Sequence, residues 1–281
     1  MTVLLFLLLF IQSCAFRRIT RSKNIVYTQP ELSARVPLQE LNVFAPRRHK
    51  GDSLKDVLLF IHGGNWTSGK KEMYHWLGSR LARKDIVTVV IDYPLSPAAD
   101  YSLMAVASVQ AVAWTRTHIG HYGGNPERIF LAGHSAGAHL ASLITWDEKY
   151  FKQAGMENPV KGLILIDAAG IDMYNYLKEG RVTEQLKYAK TFSMEPVKWK
   201  DASSLYHIRS HMPPTLILTG GRTFPSIKQG NKTLIAALVK MKADYQLIVQ
   251  PRKKHIPMLT QFFNTGNPRY EDLKQFMQRV P

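Results

Sequence analysis

Cysteine is nearly absent from this sequence, since Cys14 is the only one among 281 residues. A single thiol excludes an intramolecular disulfide and a cysteine-based metal site. The apolar run at the N-terminus, from Val3 to Ile11, is too short for a membrane-spanning helix, which needs about 20 residues. A run of this length is typical of the hydrophobic region of a secretory signal peptide.

Acidic residues are few. The chain has 21 Asp and Glu against 37 Lys and Arg, a formal net charge of +16, which favours contact with anionic surfaces. The basic residues are spread along the chain without a long tract or a recognisable nucleic-acid module, so we expect no nucleic-acid partner. Hydrophobic residues make up 45% of the chain and charged residues 21%. This balance excludes disorder, collagen and coiled coil and is typical of a globular domain.

The segment that ends at the single cysteine, Ile11-Gln12-Ser13-Cys14, resembles the lipobox of bacterial lipoproteins, in which the cysteine is lipidated and becomes the mature N-terminus. The resemblance implies a signal peptide at residues 1–13 and an exported protein, anchored to a membrane by lipidated Cys14 on the periplasmic or cell-surface side. Secretion without a lipid and a protein that is not exported are alternatives. A further alternative is an uncleaved anchor of reversed orientation, which would be consistent with the basic residues that follow the apolar run: Arg17, Arg18, Arg21 and Lys23.

Buried strands and amphipathic helices alternate from residue 36 to the C-terminus. Continuous apolar runs that end in glycine, such as Asp56 to Gly64, are typical of strands covered on both faces. The alternation predicts an α/β protein with a mostly parallel, doubly wound sheet, in which ligands bind beyond the carboxyl ends of the strands. Residues 14–35 would then be an N-terminal linker, and residues 170–206, where the pattern breaks, an insertion. The predicted strands are 38–44, 56–64, 85–93, 128–133, 160–167, 215–221 and 245–251.

A Gly-x-Ser-x-Gly string lies between a predicted strand and a predicted helix, in the sequence Gly133-His134-Ser135-Ala136-Gly137. In a nucleophile elbow the glycines allow a turn too tight for a Cβ, and this turn lifts the serine Oγ clear of the sheet at a helix N-terminus. The order of strand, string and helix therefore predicts that Ser135 is a nucleophile, rather than part of an ordinary glycine turn.

A second glycine-rich string, His62-Gly63-Gly64-Asn65-Trp66, follows an earlier buried strand. Small residues let backbone N–H groups approach the oxyanion that develops during acyl transfer. A position two strands before the elbow is also where the second half of an oxyanion hole belongs. The string is therefore a candidate oxyanion loop.

With these two strings, the chain after residue 35 resembles the α/β-hydrolase fold, and within it the esterase and lipase group that has an HGGxW motif. The segments Asp92 to Pro97 (DYPLSP) and Asp201 to Gly221 are similar to further segments of that group. The resemblance implies an α/β-hydrolase domain over residues 36–281, with Ser135 as nucleophile and His255, after the last strand, as general base. It also implies an oxyanion hole formed by the backbone N–H groups of Gly64, Asn65 and Ala136.

The acid of the expected triad is missing from its usual place. Members of the group carry an Asp shortly after the strand that here reads TLILTGG, but this chain has Thr223 there and no carboxylate between Gly220 and Ala243. Loss of the acid costs up to about 10⁴ in rate, because the imidazole loses its orientation. Asp167, at the end of the preceding strand, is the favoured replacement, since a neighbouring histidine would partner its buried charge. Asp172 and a site without any acid remain alternatives.

These features predict a serine carboxylesterase that cleaves small-acyl esters through an acyl-enzyme, without a metal or an organic cofactor. Its substrate would be a small-molecule or glycan ester, and an acetyl or feruloyl esterase acting on polysaccharide is the alternative enzyme. Thr223 motivates a third hypothesis, a non-catalytic hydrolase-like binding protein. A carboxylate within about 3.2 Å of the His255 imidazole would favour catalysis over binding.

The insertion at residues 170–206 is rich in aromatic side chains. Such side chains line the pockets of many ligand sites, but they also serve to pack an insertion onto the body of a domain. Both interpretations apply to Tyr174, Tyr176, Tyr188, Phe192, Met194 and Trp199.

Overall fold

The structure is a computed structural model that describes residues 19–281. The predicted signal peptide at residues 1–13 and the lipidation site Cys14 lie outside the described residues. Within residues 19–281, no helix is both long and apolar enough to cross a membrane.

One sheet of eight strands organises the described chain, with the strand order β1-β2-β4-β3-β5-β6-β7-β8. The antiparallel pairs are β1 with β2 and β2 with β4, and all other neighbours are parallel. The predicted α/β class with a mostly parallel sheet is therefore confirmed. The strands are β1 Ile19–Val26, β2 Glu40–Pro46, β3 Lys55–Ile61, β4 Val87–Ile91, β5 Gly124–His134, β6 Val160–Ile166, β7 Thr215–Gly220 and β8 Tyr245–Gln250.

Helices cover both faces of this sheet, which is why each central strand contains a continuous run of buried residues. In β3, Val57 and Leu59 pack into the core on one face, whereas Leu58 and Phe60 pack into the core on the other. The α-helices are α1 Pro30–Ser33, α2 His75–Ala82, α3 Tyr101–His118, α4 Ala136–Trp146, α5 Lys149–Gln153, α6 Met173–Glu179, α7 Val182–Phe192, α8 Pro196–Ala202, α9 Pro225–Lys240, α10 His255–Thr260 and α11 Arg269–Arg279. Short 3₁₀ helices are Lys71–Tyr74, Ile119–Tyr122, Ser204–His207 and Gln261–Phe263.

The prediction of a linker at residues 14–35 is wrong for its described part. Strand β1 pairs antiparallel with β2, from Ile19 opposite Pro46 to Val26 opposite Glu40, and α1 follows it. Strand β1 lies at the edge of the sheet and is mostly exposed, so its sequence, ITRSKNIV, is largely polar. A search for apolar runs does not detect an edge strand of this kind, because few of its side chains face the core.

The insertion at residues 170–206 contains α6, α7 and α8 and connects β6 to β7. It is fixed to the body by side chains that are almost fully buried in the larger core, among them Leu177, Phe192 and Ala202. Because it follows the carboxyl end of β6, it forms one wall of the space beyond the strand ends.

Candidate active site

Ser135 occupies a sharp turn between β5 and α4. Its backbone has a φ of 56° and a ψ of −122°, outside the favoured regions for residues with a side chain. A Cβ added to Gly133 would lie 2.3 Å from the carbonyl carbon of Gly137, and one added to Gly137 would lie 2.0 Å from the oxygen of Ile61. Both glycines of the string are thus required sterically, and the turn has the geometry expected of a nucleophile elbow.

A line of hydrogen bonds connects Ser135, His255 and Asp167. The hydroxyl of Ser135 donates to His255 Nε2 at 2.9 Å, and His255 Nδ1 donates to Asp167 Oδ2 at 2.6 Å. His255 is the first residue of α10, which follows β8, while Asp167 directly follows β6. The structure therefore brings together the three residues that the sequence favours, although they follow three different strands, β5, β6 and β8.

Thr223, which stands where the acid was expected, contacts the displaced acid. Its hydroxyl donates to Asp167 Oδ2, while Oδ1 accepts from the backbone N–H of Gly220 at 2.9 Å and from Thr219 Oγ1 at 3.3 Å. Burial raises the pKa of Asp167, but hydrogen bonds from His255, Gly220 and Thr223 lower it further, so the pKa lies below its usual value. The carboxylate is therefore ionised at neutral pH.

Asp172, the alternative acid, has another role. Its Oδ1 accepts from the backbone N–H of Asn175 at 3.1 Å, and its Oδ2 accepts from the Asn175 side chain at 2.7 Å. Asp172 thereby caps the N-terminus of α6, a frequent position for aspartate.

The predicted oxyanion loop lies against the elbow. A Cβ on Gly63 would be 2.8 Å from the carbonyl oxygen of His134 and 3.2 Å from the Cβ of Ser135. Gly64 has a φ of +133°, and Asn65 has a φ of 55°. Within the described residues, the backbone N–H groups of these two residues donate to no protein acceptor. Together with Ser135, both residues line the same cleft.

Polar contacts hold this loop and the segment that follows it. In that segment, the ammonium of buried Lys71 contacts three carboxylates, those of Glu40 at 2.9 Å, Glu72 at 2.6 Å and Asp92 at 3.1 Å. The loop itself accepts two hydrogen bonds from tyrosine hydroxyls. Tyr93 donates to the carbonyl of His62 at 3.1 Å, and Tyr188 of the insertion donates to the Asn65 side chain at 2.9 Å. These two contacts limit the movement of the loop relative to Ser135.

Two buried histidines next to the site are neutral and were not singled out from the sequence. His134 stacks on His255 with ring centroids 4.6 Å apart and donates from Nε2 to the His255 carbonyl at 3.2 Å. His139 accepts from Trp66 Nε1 at 3.1 Å and donates to the Ala202 carbonyl at 2.7 Å. Burial lowers the pKa of each to about 4. The sequence feature that places His134 beside the site is its position in the elbow string, one residue before Ser135.

The cleft above Ser135 has a volume of about 1360 Å³. Of the aromatic residues of the insertion, Tyr176 and Tyr188 line it, whereas Phe192 and Trp199 are buried in the core. Both interpretations of the insertion therefore hold, each for different residues. The segments from Phe224 to Thr233 and from His255 to Phe263 also line the cleft and contribute apolar side chains: Phe224, Ile227, Ile256, Leu259 and Phe263. Among residues 19–281, no group of His, Cys, Asp and Glu side chains has the arrangement of a metal site.

A family model, BD-FAE, matches residues 41–229, which include the oxyanion loop, the elbow, Asp167 and Thr223. This is more than half of the 281 residues. The chain belongs to the BD-FAE family. His255 lies beyond the segment that the family model matches, and its contacts with Ser135 and Asp167 are what identify it as part of the site.

Several relatives to which the chain is similar carry the names of esterases. A probable isoprenylcysteine alpha-carbonyl methylesterase of Arabidopsis thaliana is 26% identical over 244 residues, which is 80% of this chain and 50% of the relative. The chain thus spans about half the length of the curated relatives that it matches.

Solved structures of low sequence identity share the fold. Esterase B from Lactobacillus rhamnosis, solved with a tributyrin phosphonate, has a TM-score of 0.77 at 15% identity, with 96% of this chain and 89% of that chain covered. A truncated carbohydrate esterase from gut microbiota also has a TM-score of 0.77, at 16% identity, with 96% and 98% covered. The predicted α/β-hydrolase fold is confirmed.

Proposed function

We propose that this protein is a serine carboxylesterase that uses Ser135, His255 and Asp167. The observation that carries the proposal is the hydrogen-bonded line from Ser135 Oγ through the imidazole to the ionised carboxylate, with distances of 2.9 and 2.6 Å. In this arrangement His255 Nε2 takes the serine proton as Ser135 attacks the ester carbonyl, and then delivers it to the leaving alcohol. Asp167 keeps the proton on Nδ1 and stabilises the imidazolium.

The negative charge of the tetrahedral intermediate would be held by backbone N–H groups of Gly64, Asn65 and Ala136. Two observations support this assignment. The amides of Gly64 and Asn65 have no protein acceptor within the described part of the chain, and Ala136 is the first residue of α4, where N–H groups lack intrahelical partners. Water would then attack the acyl-enzyme, with His255 again as the base.

The names of the relatives and structural neighbours support ester hydrolysis, and the triad geometry removes the motive for a binding protein. The carboxylate of Asp167 lies 2.6 Å from the imidazole, well within the limit of about 3.2 Å for a working pair. We therefore assign the departure at Thr223 to relocation of the acid, not to its loss.

The apolar side chains that line the cleft after β7 and β8 suit the acyl group of an ester. The insertion side carries polar groups, among them Asn175, Glu179 and Lys187, which suit a hydroxyl-rich leaving group. This polar wall supports a second candidate, an esterase that removes acetyl or feruloyl groups from polysaccharide. The carbohydrate esterase among the structural neighbours supports the same candidate through its fold.

The experiment is hydrolysis of 4-nitrophenyl acetate, butyrate and octanoate and of an acetylated xylan by the full chain. We expect Ser135→Ala to lose about 10⁶ in kcat and Asp167→Asn about 10⁴, whereas Asp172→Asn should retain the parental kcat because that carboxylate caps α6. Parental protein that is no faster than Ser135→Ala on every ester would refute the proposal. Equal losses for the two aspartate variants would refute the assignment of Asp167.

Export and anchoring remain a proposal from sequence, supported by the apolar run from Val3 to Ile11 and by the lipobox-like segment ending at Cys14. Cells that express the parent or Cys14→Ala and are labelled with a palmitate analogue would test it. We expect label and membrane association in the parent alone. Equal labelling of both proteins, or label in neither, would contradict lipidation at Cys14.

A further inference from the structure

A second groove, of about 410 Å³, lies beside the cleft and is strongly basic. We call it the basic groove. Its polar lining consists of Arg21, Lys23, His75, Ser79, Arg80 and Arg83. Trp76 lines both the basic groove and the cleft above Ser135, so the two spaces adjoin at that ring.

The sequence brings these cations together through two regular elements. Arg21 and Lys23 lie two residues apart on edge strand β1. On α2 and just after it, His75, Ser79 and Arg83 follow each other at intervals of four residues, which aligns their side chains on one helix face. Because α2 packs against β1 and β2, the basic residues of both elements meet in one groove.

The arginine and lysine side chains of the basic groove have no ion-pair partner in the described chain. Within residues 19–281, neither Arg21, Lys23, Arg80 nor Arg83 forms an ion pair with a carboxylate. Lys71, one turn before α2, differs sharply, because three carboxylates surround it. Like charges gathered without ion-pair partners favour the binding of an anion.

Several of these side chains are held in place. Arg21 Nε donates to the hydroxyl of Ser79 at 3.2 Å, and Ser79 is buried. The Arg80 guanidinium lies 5.5 Å from the ring centroids of both Trp76 and Phe263, two residues that line the cleft. Partial burial and the charges of Lys23, Lys71 and Arg21 lower the pKa of His75, although the carboxylate of Glu72 opposes them. Fixed guanidinium groups lose little freedom when they bind, and their planar geometry fits phosphate and carboxylate oxygens.

We propose that the basic groove is an oxyanion subsite that binds the carboxylate or phosphate group of an anionic ester whose acyl end reaches Ser135 past Trp76. This proposal rests on the proposed esterase function and adds a substrate class to it. The scissile ester would occupy the cleft, and the anionic end of the molecule would lie between β1 and α2.

A binding experiment tests the groove without relying on catalysis. Inorganic phosphate is titrated into the full chain by calorimetry at constant ionic strength, with three proteins compared. The groove variant is Arg21→Gln/Arg83→Gln. The control, Lys161→Gln/Lys240→Gln, removes the same charge from exposed residues that line neither space. We expect the Kd for phosphate to rise at least about tenfold in the groove variant, since hydrogen bonds to charged groups are lost, and to stay within about twofold in the control.

A kinetic experiment distinguishes substrate from free ion. The 4-nitrophenyl hemi-esters of adipate and suberate carry a terminal carboxylate, and 4-nitrophenyl hexanoate and octanoate are neutral esters of the same chain lengths. We expect the ratio of kcat/KM for anionic over neutral esters to fall about tenfold in the groove variant, through KM, and to be unchanged in the control. Free phosphate should inhibit the hemi-ester reaction competitively.

Three outcomes would overturn the proposal. Equal phosphate affinity in the parent and the groove variant would mean that the groove binds no oxyanion. Equal weakening in the groove variant and the control would mean a diffuse charge effect. Loss of phosphate binding with an unchanged ratio of kcat/KM would mean that the anion is not part of the substrate. A parent that hydrolyses none of the esters would instead refute the esterase proposal, while the phosphate titration would still report on the groove.

Discussion

Replacing Thr223 by valine removes one donor from the buried carboxylate of Asp167. Thr223 Oγ1 donates to Asp167 Oδ2, which also accepts from His255 Nδ1 at 2.6 Å. Valine keeps the branched shape of threonine but has no hydroxyl. Of the four protein donors to this carboxylate, the variant Thr223→Val leaves three.

The magnitude follows from the charge and burial of the pair. Thr223 is 6% exposed and Asp167 is 0% exposed, and a hydrogen bond to a charged group contributes about 1.5–3 kcal/mol. We expect the free energy of unfolding at pH 7 to fall by about 2 kcal/mol. The pKa of Asp167 should rise, because its ionised form loses a donor. Poorer orientation of His255 should lower kcat by roughly 10- to 100-fold, with little change in KM.

The sign of the pH dependence gives a second readout. The pKa of Asp167 is lower in the folded protein than its usual value, so its contribution to stability is present above about pH 3.9 and declines as the pH falls through the folded-state pKa. The difference in stability between the parent and Thr223→Val should therefore shrink in acid.

Urea unfolding at pH 7 and at acidic pH, together with kcat for an ester, measures these effects. Thr145→Val is the matched control, because Thr145 is also fully buried but donates to a neutral helix carbonyl, that of Ala141, at 2.7 Å. We expect the control to change stability by less than about 1 kcal/mol. Equal destabilisation by the two substitutions, or a difference between parent and Thr223→Val that persists unchanged in acid, would refute the reasoning.

Two further predictions concern the elbow and the buried histidines. Gly137→Ala places a Cβ 2.0 Å from the oxygen of Ile61 and should lower the free energy of unfolding by at least about 3 kcal/mol or prevent folding. The control is Gly120→Ala, whose Cβ would meet nothing within 4 Å and whose stability should stay within about 1 kcal/mol of the parent. Similar urea midpoints for the two variants would contradict the steric argument. Burial lowers the pKa of His134 and His139 to about 4, while the unfolded chain binds these protons near pH 6.5. The free energy of unfolding should therefore decline as the pH falls from about 6.5 to 4, by about 3 kcal/mol for each histidine. Equal free energies from urea unfolding at pH 7 and pH 5 would contradict this.

The central strands could be predicted from the sequence because burial on both faces leaves a continuous apolar run. The strand predicted at 56–64, for example, corresponds to β3, Lys55–Ile61. Strand β1 was missed because an edge strand exposes most of its side chains. The basic groove is also difficult to predict from the sequence. Its charges come from β1 and α2, which are 49 residues or more apart in the sequence and meet only in the folded protein.

The serine and the histidine of the site could be predicted because a local string and chain order identify them. The acid could not be fixed to one residue, because its partner depends on which strand ends are neighbours in the sheet. Strands β6 and β7 are parallel and in register, with Ile166 opposite Leu218. The residues that follow these two strands therefore emerge side by side.

This proximity explains how the acid can stand after β6 while the usual position after β7 keeps a role. Thr223, which follows β7, donates to the same oxygen of Asp167 that accepts from His255 Nδ1, so the two strand ends meet at this hydrogen bond and the acid can occupy the end of β6. The vacated position then faces a carboxylate instead of holding one. A donor is required there in place of an acceptor, and the Thr223 hydroxyl supplies it. On this argument, Asp167 and Thr223 are a coupled pair, and Asp167→Asn combined with Thr223→Val should destabilise the protein by less than the sum of the two single substitutions.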